Sequence, residues 1–313
     1  RESLSWYRYL GVTKVQMGAQ SLDDEILKIN KRGHSAQETL EATALLRAGG
    51  FKVVLHWMPN LLGATPESDR VDFKRLWGAG GPRPDELKIY PCQLLENTEL
   101  YDIWRAGAYQ PYSEATLLDL IADLKTTVPR YCRINRIIRD IPSTYVVAGN
   151  KNSSLRQDIQ REMRRRGTRC ECVRCREIRR LKVTPKNVSL NDLVYLPAHA
   201  EEHFLSFDTE DDKLAGFLRL SLPEDTRRTG LRDLEDAAII REVHVYGQSL
   251  EVGDEREGIA QHSGLGTRLI KEAERIARSK GYQKLAVIAA VGTRAYYAGR
   301  DFDLTEHYMV KAL

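Results

Sequence analysis

A glycine-bearing loop directly before an amphipathic helix constrains this chain more than any other feature. The loop is Gln261-His262-Ser263-Gly264-Leu265-Gly266-Thr267. A helix that begins on small residues exposes its first N–H groups, and its macrodipole adds partial positive charge there. Glycines also let a ligand approach the backbone closely. The loop therefore predicts an anion cradle suited to a pyrophosphate, with a simple loop-to-helix turn as the alternative. The apolar positions of the predicted helix recur at helical spacing and are Leu265, Leu269, Ile270, Ala273, Ile276 and Ala277.

Length and composition predict a globular protein with about two domains. The chain has 313 residues, of which 48 are Lys or Arg and 44 are Asp or Glu, and 42% are hydrophobic. No apolar run approaches the roughly 20 residues that span a bilayer, so we expect no membrane partner. Five cysteines, an odd number, do not fit a disulfide framework and indicate a reducing, cytoplasmic setting. Because the chain begins at Arg1 rather than Met, we expect a longer N-terminus in the natural protein.

The first part of the chain, residues 1–142, alternates short apolar runs with helical patterns. This alternation predicts βα units on a parallel sheet or in part of a barrel. A complete (β/α)₈ barrel needs about 200 residues or more, so this part is predicted to be a partial one. The predicted strands are Lys14–Gly18, Phe51–Met58 and Glu86–Tyr90, and the predicted helices include Ala36–Ala48, Pro66–Leu76 and Thr116–Thr127.

Residues 143–188 form a basic linker that continues a run of arginines from a strand-like segment. Acidic residues are sparse here, so we expect that ion pairing does not neutralise the segment. A phosphate backbone is the partner that clustered guanidinium groups bind best, whereas a solvated charged face is the alternative. The candidate nucleic-acid contacts are Arg133, Arg136, Arg139, Lys151, Arg156, Arg161, Arg164, Arg165 and Arg166.

Three cysteines lie within this basic run as Cys170, Cys172 and Cys175. Arginine neighbours favour thiolates, and thiolates are metal ligands. Structural zinc has four ligands, so the spacing predicts a zinc site completed from elsewhere. Cys92 is the first choice for the fourth ligand, followed by Cys132, His34 and His56. An iron–sulfur cluster and unmetallated thiols remain alternatives.

Residues 189–313 read as a sheet with helices around the glycine loop. A hairpin of Glu202–Phe207 and Leu214–Leu222 precedes a long strand, Ala238–Tyr246. Regular alternation puts Ile240, Glu242, His244 and Tyr246 on one face of that strand. A Glu and a His are expensive to bury unless they are paired or used. The remaining predicted elements are a strand at Lys284–Ala290, a short helix at Arg294–Ala298 and a strand toward Met309.

This order of strand, Gln-x-x-Gly-x-Gly loop, helix, strand and tyrosine-bearing helix resembles the GNAT acetyltransferase superfamily. The resemblance implies that the N–H groups from Ser263 to Thr267 bind the acetyl-CoA pyrophosphate and that Gln261 shapes the loop. It implies that backbone groups of Val243, His244 and Val245 contact the pantetheine and polarise the thioester carbonyl. Tyr297 or Tyr296 would protonate the CoA thiolate, and Glu242 and His244 would orient water or substrate.

A more specific resemblance, to the catalytic third subunit of Elongator, covers the whole chain. It implies a radical S-adenosylmethionine (SAM) domain of partial βα-barrel type, a basic zinc-binding linker and a GNAT domain. It also implies that tRNA wobble uridine is modified toward 5-carboxymethyluridine, with acetyl-CoA as the two-carbon donor and the anticodon stem-loop in a basic inter-domain cleft. The segments that carry it are Arg241–Gly247, Gln261–Gly266, Ala295-Tyr296-Tyr297, Lys88-Ile89-Tyr90-Pro91, Arg139–Ser143, Ser154–Gln157 and Cys170–Cys175.

Three positions depart from that family's pattern. The C-x-x-x-C-x-x-C motif that binds the [4Fe–4S] cluster of radical SAM enzymes does not occur in this sequence. We therefore expect that the radical step is missing from this chain, either because an N-terminal part is absent or because the homologue lacks it. Met58–Gly63 carries Asn and Leu where relatives tend to have Gly and Pro, and Asp301-Phe302 replaces a glycine–aromatic pair.

The sequence thus predicts three regions and one leading function. The regions are a radical-SAM-like βα domain (1–142), a basic cysteine-bearing linker (143–188) and an acetyl-CoA-binding GNAT domain (189–313). The predicted function is acetyl-CoA-dependent tRNA uridine modification, with a homo-oligomer or other Elongator-like subunits as further partners. A protein lysine acetyltransferase and a non-catalytic tRNA-binding scaffold are the alternatives.

Overall fold

The structure is a computed structural model that describes residues 2–139, 141–179, 183–184, 187–246 and 264–313. The helices of these residues are α1 (Glu2–Tyr9), α2 (Asp24–Ile29), α3 (Ala36–Ala48), α4 (Pro66–Arg75), α5 (Glu99–Arg105), α6 (Glu114–Thr126), α7 (Leu155–Arg165), α8 (Val173–Arg176), α9 (Leu265–Ser279) and α10 (Arg294–Ala298). The strands are β1 (Lys14–Gln20), β2 (Lys52–Trp57), β3 (Glu86–Ile89), β4 (Gln93–Leu95), β5 (Arg133–Arg136), β6 (Val146–Gly149), β7 (Ser189–Tyr195), β8 (Ala200–Asp208), β9 (Leu214–Pro223), β10 (Ala237–Val245), β11 (Lys284–Val287), β12 (Asp303–Leu304) and β13 (Met309–Ala312).

The chain divides into two compact units, and these units do not follow the predicted boundaries at 142 and 188. One, here called the βα unit, comprises Gln16–Glu41 and Val54–Cys175. The other, here called the C-terminal unit, comprises Arg1–Val15, Ala42–Val53 and Arg176–Leu313. Two N-terminal segments thus belong to the unit that contains the glycine loop, which sequence order does not reveal.

The βα unit contains most of a four-stranded sheet in the order β1-β2-β3-β5, in which β3 pairs in parallel with both β2 and β5. Its strands alternate with helices as the hydrophobic pattern predicts. Helix α4 begins at a capping box, in which Thr65 and Ser68 satisfy each other's backbone N–H groups. Trp57 packs edge-on against Phe73 of that helix, with ring centroids 4.9 Å apart, and both rings are fully buried. Helix α4 is thereby fixed against the sheet.

The C-terminal unit is built on a seven-stranded sheet in the order β12-β13-β11-β10-β9-β8-β7. Neighbouring strands pair antiparallel except for β10 and β11, which are parallel. The amphipathic helix α9 packs against this sheet through its apolar stripe, and all six predicted stripe residues are buried. The predicted helix and its buried face are therefore confirmed.

Strand β10 contains a bulge between Ile240 and Glu242. A bulge adds one residue, so the alternation of faces changes at that point. Ile240 lies in the core beside α9, and Val243 and Val245 pack against the same core. The prediction that Ile240 and Glu242 share a face was wrong, because it assumed a regular strand.

The two N-terminal segments of the C-terminal unit are held by buried polar contacts. Arg8 of α1 donates to the His307 carbonyl at 2.6 Å and lies over the Tyr308 ring. The Tyr308 hydroxyl donates to the Gly49 carbonyl at the end of α3, at 2.7 Å. Arg47 of α3 places its Nε 3.9 Å from Glu202 Oε1 on β8. These contacts explain why residues 1–15 and 42–53 group with the C-terminal sheet.

Two of the unusual residues noted in the sequence occupy left-handed backbone conformations. Asn60 has φ +66°, and Asp301 also has φ +66°. Glycine adopts this region freely, and Asn and Asp tolerate it better than other residues. Both substitutions therefore preserve the backbone that a glycine would give. Among the described residues, no helix has the length and apolar character needed to cross a bilayer.

Candidate functional site

The predicted anion cradle lies at the start of α9. Gly264 is the N-terminal cap residue, with φ +72°, and within the described part of the chain no side chain caps this helix end. The first turn carries no acidic residue, so its partial positive charge is not offset from within the turn. Gln261, His262 and Ser263, which were predicted to complete the cradle, lie outside the described residues.

Tyr296 approaches the cradle from α10. A Cβ added to Gly266 would lie 2.6 Å from the Tyr296 hydroxyl and 3.7 Å from Val245 Cγ2. The absent side chain is therefore what allows this tyrosine and β10 to reach the helix end. Arg300 lies over the Tyr296 ring at 3.6 Å and donates to Thr267 Oγ1 at 2.9 Å. The arginine fixes the tyrosine beside the first turn of α9.

Tyr297, the neighbouring tyrosine, has a different environment. Its ring is buried in the core and packs edge-on against Phe302 at 5.8 Å and against Tyr296 at 5.2 Å. Burial raises the pKa of Tyr297, and the neighbouring Tyr296 adds to that effect. A tyrosine hydroxyl is protonated at neutral pH without this shift, and the raised pKa makes the Tyr297 hydroxyl a weaker acid.

Strand β10 presents the residues predicted to bind the cofactor through their backbone. Its pairing with β11 ends at Ile240↔Val287, whereas its pairing with β9 continues to Val245↔Gly216. Val243, His244 and Val245 thus extend beyond the last residue paired with β11. His244 is exposed, and its ring stacks on Phe217 at 5.8 Å and meets Tyr246 at 4.4 Å.

Glu242 is held by two cations. Lys52 Nζ donates to Oε1 at 2.6 Å, and Arg219 Nε donates to Oε2 at 2.9 Å. Burial alone would raise the pKa of Glu242, but Lys52 and Arg219 outweigh it and lower that pKa. A carboxylate with a lowered pKa and both oxygens engaged is a weak proton acceptor. The electrostatics therefore favour an anchoring role for Glu242 over acid–base chemistry.

The three clustered cysteines converge in the βα unit. The sulfurs of Cys170, Cys172 and Cys175 all lie within 4.8 Å of one another. Hydrogen bonds from Cys170 and Cys175 lower the pKa of Cys172, and Lys125 adds to that effect. The hydrogen bonds to Cys172 and Cys175 raise the pKa of Cys170, and the pKa of Cys175 is also raised, so one thiol of the three is favoured as a thiolate. Lys125 is fully buried, with Nζ 4.0 Å from Cys175 Sγ. A buried ammonium requires an anionic neighbour, so these thiols are arranged as metal ligands would be.

Cys92 is not brought into this group. Its side chain is buried, and burial raises the pKa of Cys92 against a smaller opposing contribution from Tyr109. A thiol in that state is a structural core residue. The backbone carbonyl of Cys132 accepts from Val173 N–H at 2.9 Å, and its thiol is not among the three that converge.

The basic residues of the βα unit differ in their exposure and in the ion pairs that they make. Arg161 pairs with Asp158, and Arg165 pairs with Glu162 on the same helix. The remaining candidates that are exposed in the βα unit are Arg136, Arg139, Lys151 and Arg164, whereas Arg133 and Arg156 are half-buried. Arg156 donates to the Ile134 carbonyl at 3.1 Å, and burial lowers the pKa of Arg156.

Arg166 contradicts the expectation that ion pairing does not neutralise the segment. Its guanidinium binds Glu162 at 2.7 Å, Asp119 at 2.9 Å and Asp123 at 3.0 Å. Asp119 and Asp123 come from α6 and also bind Arg70 of α4 at 2.9 and 3.1 Å. These carboxylates are distant in sequence, so composition of the linker alone could not reveal them.

A polar cluster in the βα unit was not predicted as a site. Lys88 Nζ donates to Gln16 Oε1 at 2.7 Å, and His56 Nε2 lies 3.2 Å from the same oxygen. Burial, together with the cations Lys88 and Arg139, lowers the pKa of His56. The sequence marked its members separately, with His56 as a late choice of zinc ligand and Lys88 within the Lys88-Ile89-Tyr90-Pro91 motif, but it did not bring them together.

Three protein-family models match consecutive parts of the chain. They are the radical SAM superfamily over residues 1–75, the radical SAM C-terminal domain over residues 84–165 and the GNAT acetyltransferase family over residues 172–302. The order of these matches confirms the predicted fold class.

Similarity to individual proteins extends along nearly the whole chain. The tRNA uridine(34) acetyltransferase of Dehalococcoides mccartyi is 41% identical over 308 residues, which cover 97% of this chain and 67% of that protein. This chain belongs to the tRNA uridine(34) acetyltransferase family. Another family member, Elongator complex protein 3 of Homo sapiens, is 38% identical over 310 residues, covering 97% of this chain and 56% of that protein.

The fold of the family is also that of a solved structure. Archaeal Methanocaldococcus infernus Elp3 with an N-terminal deletion matches with a TM-score of 0.92 at 37% identity, over 100% of this chain and 75% of that one. The chain spans 56–67% of the length of the two family members described above.

The contact between Gly266 and Tyr296 predicts a specific stability effect. We expect Gly266→Ala to lower the free energy of unfolding by about 1–3 kcal/mol, as overpacking does. Adding Tyr296→Phe should restore it, because the nearest remaining ring atom, Cζ, would lie 3.8 Å from the new Cβ. Urea denaturation measures both changes. Gly292→Ala is the matched control, since nothing lies within 4 Å of a Cβ there, and equal effects at both glycines would contradict the prediction.

Proposed function

We propose that this chain takes part in modifying the wobble uridine of tRNA and uses acetyl-CoA as its two-carbon donor. The observation that carries the proposal is the meeting of β10, the first turn of α9 and two tyrosines in a family named for uridine(34) acetylation. Each of these elements has a separate task in the proposal.

The acetyl-CoA site is proposed to lie between β10 and the start of α9. The N–H groups at the first turn of α9 would bind the pyrophosphate, with Gly264 and Gly266 allowing close approach and Gln261, His262 and Ser263 completing the loop. Among the described residues, an ideal Cβ on Gly264 would have no neighbour within 4 Å. The backbone of Val243–Val245 would bind the pantetheine, because its pairing with β11 has ended.

Proton transfer at this site is proposed to depend on Tyr297. When water or an acceptor attacks the thioester carbonyl, the C–S bond breaks and the CoA sulfur needs a proton. The protonated Tyr297 hydroxyl is the proposed source, and Tyr296 forms the wall of the cradle. His244, which is exposed at the end of β10, would orient the water or substrate.

The tRNA anticodon stem-loop is proposed to bind the βα unit through its exposed cations. Arg136, Arg139, Lys151 and Arg164 are exposed, so their charges can reach the phosphates of a nucleic acid. Arg161 and Arg165 are paired with neighbouring carboxylates but remain about seven-tenths exposed. Arg166 is proposed to orient α7 rather than to contact RNA.

A zinc ion is proposed for the three-thiol group. Cys170, Cys172 and Cys175 would be its ligands, and it would tie α8 to the βα unit. Lys125 fits this reading, because its buried charge balances thiolates. The fourth ligand is not assigned to Cys92, whose thiol is not in the group.

We assign no step of the family's radical chemistry to the residues of this chain. The radical SAM models imply S-adenosylmethionine and an iron–sulfur cluster for the family. None of the five cysteines of this sequence has the C-x-x-x-C-x-x-C spacing, and two of them, Cys92 and Cys132, are separate buried residues. The residues present therefore do not fit that cluster. Free thiols and a tRNA substrate are consistent with a cytoplasmic protein. We propose no contact with other Elongator-like subunits.

The central test is acetyl-CoA turnover with and without tRNA. We expect the chain to hydrolyse acetyl-CoA faster when tRNA is present, and to form no modified uridine by itself.

Replacing Gly264 and Gly266 with Val should abolish acetyl-CoA binding while tRNA affinity is kept. Release of CoA, measured with a thiol reagent, and gel mobility shifts report the two properties. Acetylation of histone-like peptides in preference to tRNA would favour a protein lysine acetyltransferase, and tRNA binding without turnover would favour a scaffold.

The division of the arginines predicts unequal effects on tRNA binding. Arg164→Ala should weaken binding and reduce the slope of log affinity against log salt by about one unit. Arg166→Ala should instead lower the melting temperature, because it removes the cation that joins Glu162 of α7 to Asp119 and Asp123 of α6. Filter binding across salt concentrations and thermal unfolding separate these outcomes. Arg278→Ala, an exposed arginine on α9, is the control; an unchanged slope for Arg164→Ala would count against the proposed surface.

The thiol group predicts the metal content. We expect one zinc ion per chain in the purified protein and none after Cys172→Ser, because three ligands are reduced to two. Cys92→Ser should keep the metal, since that thiol lies outside the group. Elemental mass spectrometry gives the ratio directly. Zinc loss in Cys92→Ser would show that the fourth ligand had been correctly predicted from the sequence.

A further inference from the structure

The segment that ends helix α3 touches β10 at its bulge. Gly50 has φ +78°, and a Cβ there would lie 2.9 Å from Ile239 Cγ2. Any other residue at position 50 would push the segment away from the strand or strain the backbone. Phe51 and Lys52, which follow, are thereby placed directly against the bulged part of β10.

Two consecutive residues of β10 bind two consecutive residues of this segment. Arg241 Nη1 donates to the Phe51 carbonyl at 2.9 Å, and Lys52 Nζ donates to Glu242 Oε1 at 2.6 Å. In a regular strand, consecutive side chains point to opposite faces. Here both reach the same segment, so the two contacts hold the strand in its bulged conformation.

The Lys52–Glu242 pair is partly withdrawn from solvent. The side chain of Lys52 is 20% exposed and that of Glu242 is 13% exposed, while Arg219, on the other oxygen, is 1% exposed. Screening by water is weak at such a site, so the loss of one cation affects the carboxylate more than at the surface. Lys52 is the more accessible of the two cations and can be changed without opening the core.

The proposed cofactor backbone begins directly after this anchored residue. Val243–Val245 continue beyond the pairing with β11, and Val245 Cγ2 lies 3.7 Å from the position of a Cβ on Gly266. A shift of the bulge would therefore move the strand relative to the start of α9. Positioning errors of this kind weaken binding even when no ligand contact is removed.

We propose that Lys52 is a positioning residue of the acetyl-CoA site, acting through Glu242 on the bulged backbone of β10. The inference rests on the proposed function, because it takes that site to bind acetyl-CoA. Lys52 lies within the residues matched by the radical SAM model, so sequence comparison assigns it to a different domain. Lys52, although it lies in the radical SAM part of the sequence, is thus proposed to have a role in acetyl-CoA binding.

The test compares acetyl-CoA affinity in variants of the full chain. Lys52→Met should raise the calorimetric dissociation constant for acetyl-CoA about tenfold, and Lys52→Arg should keep it within about threefold. Glu242→Gln should weaken binding similarly, and the double variant should be no weaker than either single one, because both act through one contact. Steady-state turnover should show a raised KM with a smaller change in kcat.

A second lysine–glutamate pair supplies the matched control. Lys280 Nζ lies 2.7 Å from Glu201 Oε1, in the same unit but with Lys280 47% exposed. Lys280→Met should leave acetyl-CoA affinity unchanged. The inference would be overturned if folded Lys52→Met bound acetyl-CoA with an unchanged dissociation constant. If Lys52→Met does not fold, the same result in Glu242→Gln would overturn it. In either case, acetyl-CoA binding by the wild-type chain would still uphold the proposed function. Absence of acetyl-CoA binding in the wild-type chain would instead overturn the proposed function, and the inference with it.

Discussion

The bulge in β10 is the constraint on which the rest of the C-terminal unit depends. At the bulge, the Arg241 side chain forms a fully buried ion pair with Glu202, at 2.9 Å. The side chain of the next residue, Glu242, binds Lys52 and Arg219. Both members of the Arg241–Glu202 pair are 0% exposed. Removing one partner of such a pair leaves an uncompensated buried charge, which costs several kcal/mol. The Arg241–Glu202 ion pair forms in the bulged conformation of β10 and therefore stabilises that conformation.

The proposed acetyl-CoA site follows from that irregular strand. Beyond the bulge, β10 separates from β11, and the start of α9 closes in through Gly266. The two adjacent tyrosines then take different positions, with Tyr296 at the helix end and Tyr297 in the core. The strand edge, the start of α9 and the two tyrosines are thus distinct parts of the proposed site.

Some arginines of the arginine-rich segment have a structural role, whereas others are proposed to bind nucleic acid. Arg166 connects α7 to α6 through Asp119 and Asp123, and Arg176 binds Asp208 at 3.1 Å while almost fully buried. These arginines carry no free charge for a phosphate. Arg136, Arg139 and Arg164 are exposed and belong to the proposed nucleic-acid surface. A count of basic residues alone does not separate these two groups.

The sequence by itself determined the local elements, the family and the cradle helix. Helices Ala36–Ala48 and Arg294–Ala298 and the buried stripe of α9 were predicted correctly, because periodicity and glycine stops act over a few residues. Only the tertiary structure decided the pairing of Arg166 with α6, the separation of Cys92 from the other thiols and the contact between Lys52 and Glu242. The two ion pairs join residues at least 43 positions apart, Asp123 with Arg166 and Glu242 with Lys52. Local pattern has no access to such contacts, because they form only when distant segments pack and the burial of charge forces them to pair.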